Sequence, residues 1–449
     1  TKAKQQEQKA IANQIKADVN AQKAIANQIK ADENAQKAIA NQKRAQENET
    51  KAKQQEQKAI NNAKENERLK NISDAIKTAF EAEKNLDLNL IDKAVEQSID
   101  AHKLYLDNSS KRRQNQIYSA LNRSLFEGKS RKNNFYNHTN SMGISTIHQN
   151  SISKEFMGFD NSNELLFFKL DDSKKIVRLN YENYKNIDLA VYSSNGEYIM
   201  CSKRNSNNGG ELLIFNEKNK KLIKRVEFSA PIINLQSFKN LNQQLLAFEV
   251  NNVSYIMNLS TLDYHEFKNI DKNKNYLFSL SGRFMVTKKN NKAFLYKVSF
   301  NQSKPTLELM DSIKSSSKIT SYQFSTNEDY LALGNSKGIV SIIQTNDPSK
   351  SKTISKHKDV KISDLEFIQI NAENFIVSAS YDNTINLTNI NNIDDFIELK
   401  GHKSWVKNIT VDQKNNILYS VSEDSSFRYW YLDQNVLVNQ LIKLKNGIK

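Results

Sequence analysis

The chain has a single cysteine, three prolines and eleven glycines among 449 residues. The lone Cys201 excludes a disulfide framework and any metal site built from several thiolates, and it fits a reducing compartment. No apolar run approaches the roughly 20 residues that a membrane-spanning helix requires. The longest, such as Glu164-Leu165-Leu166-Phe167-Phe168, is only strand-sized. The expectation is therefore a soluble, cytoplasmic chain, with an upstream membrane anchor left open. The first residue is Thr1 and no signal peptide follows it, which points to a fragment or a processed product.

Charge of one sign is in deficit: 50 acidic side chains face 65 basic ones, a formal net charge of +15. An excess of this size can mean contact with nucleic acid or an anionic surface. Here the lysines are dispersed through an asparagine-rich chain without arginine clusters, so solvated lysines are the plainer reading.

Composition changes sharply near residue 70. Before it, the segment KAIANQIKADVNAQ from Lys9 recurs as KAIANQIKADENAQ from Lys23 and as KAIANQKRAQENET from Lys37. The period is two heptads. Alanine recurs at every seventh position from Ala3 to Ala59, asparagine at a second phase from Asn13 to Asn48, and Ile11, Ile15, Ile25, Ile29 and Ile39 make one face weakly apolar. Strong helix formers uninterrupted by glycine or proline predict a continuous helix over residues 1–70, on the order of 100 Å long. A seam poor in leucine leaves two roles open, a spacer or one strand of a many-copy coiled coil. Residues 71–128 are amphipathic at helical spacing, with breaks at 85–89 and 107–110, and predict three short helices. Residues 129–143 read as a polar, basic linker.

From Ile144 onward short runs of Ile, Val, Leu, Phe and Tyr alternate with Asn, Asp, Ser and Lys clusters. Units begin near residues 150, 186, 230, 272, 318, 359 and 404, a spacing of roughly 40 residues with four strands each. In the last unit Gly401-His402 precedes a strand from Trp405, Ser420 lies in ILYSVSED, Asp424 in the following turn, and Trp430 in SFRYWYLD. This order of residues resembles the WD-repeat family. The preceding unit keeps His357, Ser378 and Asp382 but has Thr388 where the tryptophan would be. The resemblance implies an all-β, seven-bladed propeller over residues 144–449, in which a carboxylate, an imidazole, a hydroxyl and an indole lock each blade by satisfying one another. It implies structure, not catalysis. The terminal segment VLVNQLIKL, from Val436, could complete the last blade, or the first and last blades could simply meet edge to edge.

Gly128-Lys129-Ser130 imitates the end of a phosphate-binding loop, but Arg123 stands in place of its first glycine. Gly143-Ile144-Ser145 opens like a nucleophile elbow, yet Ile147 replaces the closing glycine. The histidines, His102, His138, His148 and His265 among them, show no metal-ligand spacing. No enzyme activity, cofactor or metal is expected. Propeller geometry puts Ser404, Trp405, Tyr381, Asn383 and Glu423 on one rim, the candidate surface for a protein partner.

The order of heptads, helical segment and propeller resembles the C-terminal half of bacterial STAND-type signalling proteins. That resemblance implies a sensor, in which the propeller recognises a cue and the arm relays it to upstream domains, with a role in defence. A structural subunit of a multi-chain envelope or secretion assembly is the alternative, and a nucleic-acid-binding propeller the second alternative.

Overall fold

The computed structural model describes residues 2–108, 114–133, 143–170, 176–179, 186–267, 275–301 and 304–448. Two compact units emerge, residues 1–72 and 73–449. Helix α1 (Lys2–Asp87) runs without interruption through the compositional boundary near residue 70. The reason is that Ala, Lys, Gln and Glu continue across it, with no residue that costs helix stability heavily. What changes is burial. Every side chain over residues 2–67 is exposed, whereas Ala75, Ala79, Ala82 and Leu86 are buried in the second unit. The first of the three expected short helices is thus the end of α1. It stops where Asn89 adopts a left-handed φ of 59° and the Leu90 N–H turns back to the Asn85 carbonyl.

Helices α2 (Ile91–Asn108) and α3 (Asn115–Asn133) follow. Residues 129–133, expected to begin a linker, instead extend α3; most of the remaining linker, including His138, and residues 109–110 of the expected break lie outside the described residues.

The described residues of the remainder form seven antiparallel sheets: residues 148–179, 187–228, 232–267, 275–314, 319–355, 362–399 and 406–431. The first strands of neighbouring blades contact one another and so surround the ring axis. Second strands such as Tyr330–Asn335 and Ile417–Ser422 are covered on both faces by adjoining blades, which explains their nearly continuous apolar runs. Inter-blade clusters such as Val286, Leu295, Phe324, Leu331 and Ile343 form the core. In a glycine-poor chain asparagine takes over the left-handed turn positions. Asn163, Asn208, Asn290, Asn371 and Asn416 have φ between 51 and 60°, where a short polar side chain is tolerated best after glycine.

The last blade has three strands, and the segment from Val436 does not supply a fourth. It forms helix α4 (Gln434–Ile448), because Leu437, Leu441 and Leu444 fall on one helical face and are buried together. Helix α3 packs beside α4 and the last blade. The Tyr118 hydroxyl donates to the Tyr431 carbonyl at 2.6 Å, and the Phe126 ring stacks on Trp430 with centroids 6.4 Å apart. An open strand edge is thereby covered by helix. The ring closes through side chains: the Ile147 N–H donates to Asn408 Oδ1 at 2.7 Å, Lys154 reaches Asp412 at 3.3 Å, and Phe156 packs edge-on against Tyr419.

Candidate functional site

In the last blade the turn before the first strand (Val406–Asp412) brings His402 back over the second strand (Ile417–Ser422) and the third (Phe427–Tyr431). Gly401 makes that turn at a φ of 143°, and a Cβ built there would run into the Arg428 guanidinium. His402 Nδ1 lies 3.2 Å from Asp424 Oδ2, and its Nε2 lies 2.8 Å from Ser420 Oγ. Trp430 Nε1 donates to the same Ser420 oxygen at 2.8 Å. An ionised carboxylate can only accept, so Nδ1 carries the imidazole proton, Nε2 accepts from Ser420, and Ser420 accepts from the indole.

Burial pushes the His402 pKa down to about 4, an effect that Asp424 offsets only in part and that Arg428 reinforces. Burial alone would raise Asp424. Hydrogen bonds from His402, Ser426 and the Lys403 N–H outweigh it and hold the carboxyl well below the usual range. At neutral pH the histidine is therefore neutral and the aspartate ionised.

Ser, His and Asp in this order have the connectivity of a nucleophilic triad. Ser420, however, is fully buried, and its oxygen is already occupied by an indole N–H. No substrate carbonyl can approach it; the hydrogen bonds join the turn at His402 to the second and third strands.

The preceding blade repeats the pattern. His357 lies 2.9 Å from both Asp382 and Ser378, and Asn386 Nδ2 approaches the same ring at 3.3 Å. Thr388 pairs with Ile376 as Trp430 pairs with Leu418, so the threonine does occupy the tryptophan position. Asn386, which the sequence reading overlooked, supplies polar contact to the imidazole where the indole is missing.

At the end of the blades where first strands begin and second strands turn into third strands, a short backbone bond recurs. Ser336 N–H donates to Lys318 O, Tyr381 N–H to Lys361 O, and Glu423 N–H to Trp405 O, at 2.9 to 3.0 Å. This bond sets Tyr381 and Trp405 side by side across two blades, ring centroids 4.5 Å apart and planes parallel to within 1°. Lys361 sits over the Tyr381 ring at 4.3 Å. Ser404 accepts from Ser422 through its carbonyl, Asn383 holds the adjacent turn at a φ of 73°, and Glu423 pairs with Lys407. The five rim residues thus lie together in two neighbouring blades.

Residues 396–431 match the family model described as WD domain, G-beta repeat. This stretch is a WD repeat. It begins on the outer strand of the sixth blade (Phe396–Leu399) and ends on the third strand of the seventh, so this repeat is offset from the blade by one strand and spans two blades. Among curated proteins none matches the chain. WD-repeat propellers generally mediate protein–protein interaction. Among the described residues no group of three His, Cys, Asp or Glu is placed to hold a metal ion, and no helix is long and apolar enough to cross a membrane. Cys201 is buried between the first two blades beside Met157 and Phe167, and burial pushes its thiol pKa up.

Proposed function

We propose that this chain is a non-catalytic interaction module whose propeller rim, at Tyr381 and Trp405, holds a protein partner. The helical arm then links the propeller to upstream domains or sister chains, in a cytoplasmic sensor of the STAND type acting in signalling or defence. The observation that carries this reading is Trp405, which is 49% exposed although it lies flat on Tyr381. A rigid, half-open aromatic pair offers a large apolar area at small entropic cost, the property of an interface anchor. Packing between blades explains the stack; it does not explain why so much indole is left facing water.

Trp405→Ala is expected to weaken capture of the partner by about 2 kcal/mol, roughly thirtyfold, while melting stays within about 1 °C of wild type. Quantitative pull-down from extracts of the source cells, alongside calorimetry, reads both. Lowered melting with capture retained would remove the support for this rim.

One observation favours the second reading, a subunit of a multi-chain assembly. Ile11 and Ile15, and again Ile25 and Ile29, stand at the spacing of a coiled-coil seam and are 55 to 61% exposed. Asp18 and Asp32 occupy the same seam in alternate heptads, which weakens any simple pair of arms. Light scattering should give a multiple of the 51.6 kDa chain mass for the full chain and a monomer for residues 73–449. A multimer formed by residues 73–449 alone would exclude the arm as the assembling element.

A further inference from the structure

The rim carries a second feature that the partner reading does not use. A cavity of about 640 Å³ opens beside the fourth, fifth and sixth blades, where the second strand of one blade ends and the first strands of the next two begin. Lys288 and Lys289 close the strand Phe284–Lys289, Lys318 precedes the strand Ile319–Phe324, and Lys361 precedes the strand Ile362–Ile370. All four line the cavity, together with the hydroxyl-bearing Thr320 and Ser336, and no carboxylate is among the lining residues.

Two of the four ammonium groups, those of Lys288 and Lys361, are held by neutral partners. Lys288 donates to the Thr320 carbonyl at 3.3 Å and sits 4.6 Å from the centre of the Tyr322 ring. Lys361 donates to the Tyr381 hydroxyl at 3.1 Å. Among the described residues none of the four has an ion pair with a carboxylate. Elsewhere in the ring lysines do find such partners, as Lys220 does with Glu155 and Glu217. Convergent like charges in a concave, partly dry site repel one another, and the repulsion is relieved when an anion enters. Consistent with that, burial and then the charges of Lys318 and Lys361 lower the pKa of Lys288.

We infer that this cavity is a binding site for a small anion bearing two or more phosphate groups. Its volume is that of a small-molecule site. Compact ammonium charges on flexible stems suit phosphate oxygens, and Ser336 brings a hydroxyl beside them, whereas the Thr320 hydroxyl already donates to the Ile362 carbonyl at 2.7 Å. The cavity meets the partner rim at Lys361, which contacts Tyr381, but the test residues Lys289 and Lys318 belong to the cavity alone, so the two readings fail separately.

Titration calorimetry of the full chain with sodium pyrophosphate tests it. One saturable site per chain is expected, with affinity falling steeply as salt is raised. Lys289→Gln combined with Lys318→Gln, both exposed, should weaken binding at least about tenfold without changing the melting temperature. The exposed pair Lys218→Gln and Lys221→Gln, on the second blade, should bind as wild type. The site is refuted by the absence of saturable pyrophosphate binding, by equal loss in the Lys218 and Lys221 control, by sulfate binding as tightly as pyrophosphate, or by binding of duplex DNA without any response to pyrophosphate. Each of these results would leave the Trp405 test unaffected.

Discussion

Trp430→Ala is expected to destabilise the propeller by about 3 to 5 kcal/mol, the range found for removing a large buried aromatic side chain. Trp430 is only 1% exposed, and its ring is enclosed by Phe126, Arg428 and His402. Two losses add. The cavity left behind faces both the helical segment and the blade, and Ser420 loses the indole donor inside a buried network. Trp430→Phe separates them, since it keeps most of the ring and removes only the N–H; about 1 to 2 kcal/mol is expected. Scanning calorimetry of both variants is the measurement. Melting of Trp430→Ala within about 1 °C of wild type would show that the last blade and its helical cover do not limit the stability of the ring.

A second large effect is set by pH. The folded pKa of His402 lies at about 4, below the ordinary value of 6.5, so between those limits the unfolded chain binds the proton that the folded chain refuses. Stability from this group is complete above about pH 6.5 and is lost as pH falls toward 4, by about 2 to 3 kcal/mol at pH 4.5. Asp424 acts in the same direction further down, because its pKa is held low in the fold. Asp364 and Glu366 act oppositely. Burial raises them to about 6 and about 8, so they release stability as pH rises. The His402 contribution is therefore read as a difference. Denaturant midpoints from pH 7.5 to 4.5 should fall more steeply in wild type than in His402→Gln, which is less stable at pH 7 and flatter below it. Parallel profiles would mean that His402 is protonated in the fold.

The parts of the molecule legible from sequence are those whose causes lie close together along the chain. Alanine heptads free of glycine and proline specify a helix by themselves. Strand rhythm at about 40-residue spacing specifies blades. The polar lock of the last blade is written within residues 401–430, so its four members could be named before their distances were known. Residue pattern also marked Thr388 as the missing indole, although it gave no sign that Asn386 stands beside the imidazole.

Where two local patterns compete, only packing separates them. Val436-Leu437-Val438 has the β-branched character of a strand, and completing the last blade was one of two roles the sequence left open for the segment. Burial of Leu437, Leu441 and Leu444 against the helical segment makes it a helix. Composition near residue 70 suggested a break; the helix continues because composition marks burial there, not propensity.

The sequence by itself determined the arm, the blades and the buried His402 lock, since each is governed by helix propensity, strand alternation or hydrogen bonds within some thirty residues. Tertiary structure alone decided the covering of the last blade by helices, the parallel stacking of Tyr381 on Trp405 and the convergence of Lys288, Lys289, Lys318 and Lys361. Those lysines belong to three blades and are indistinguishable in sequence from the other dispersed lysines. Packing of three consecutive blades gathers them into one cavity, where proximity converts ordinary solvated charges into a concentrated field.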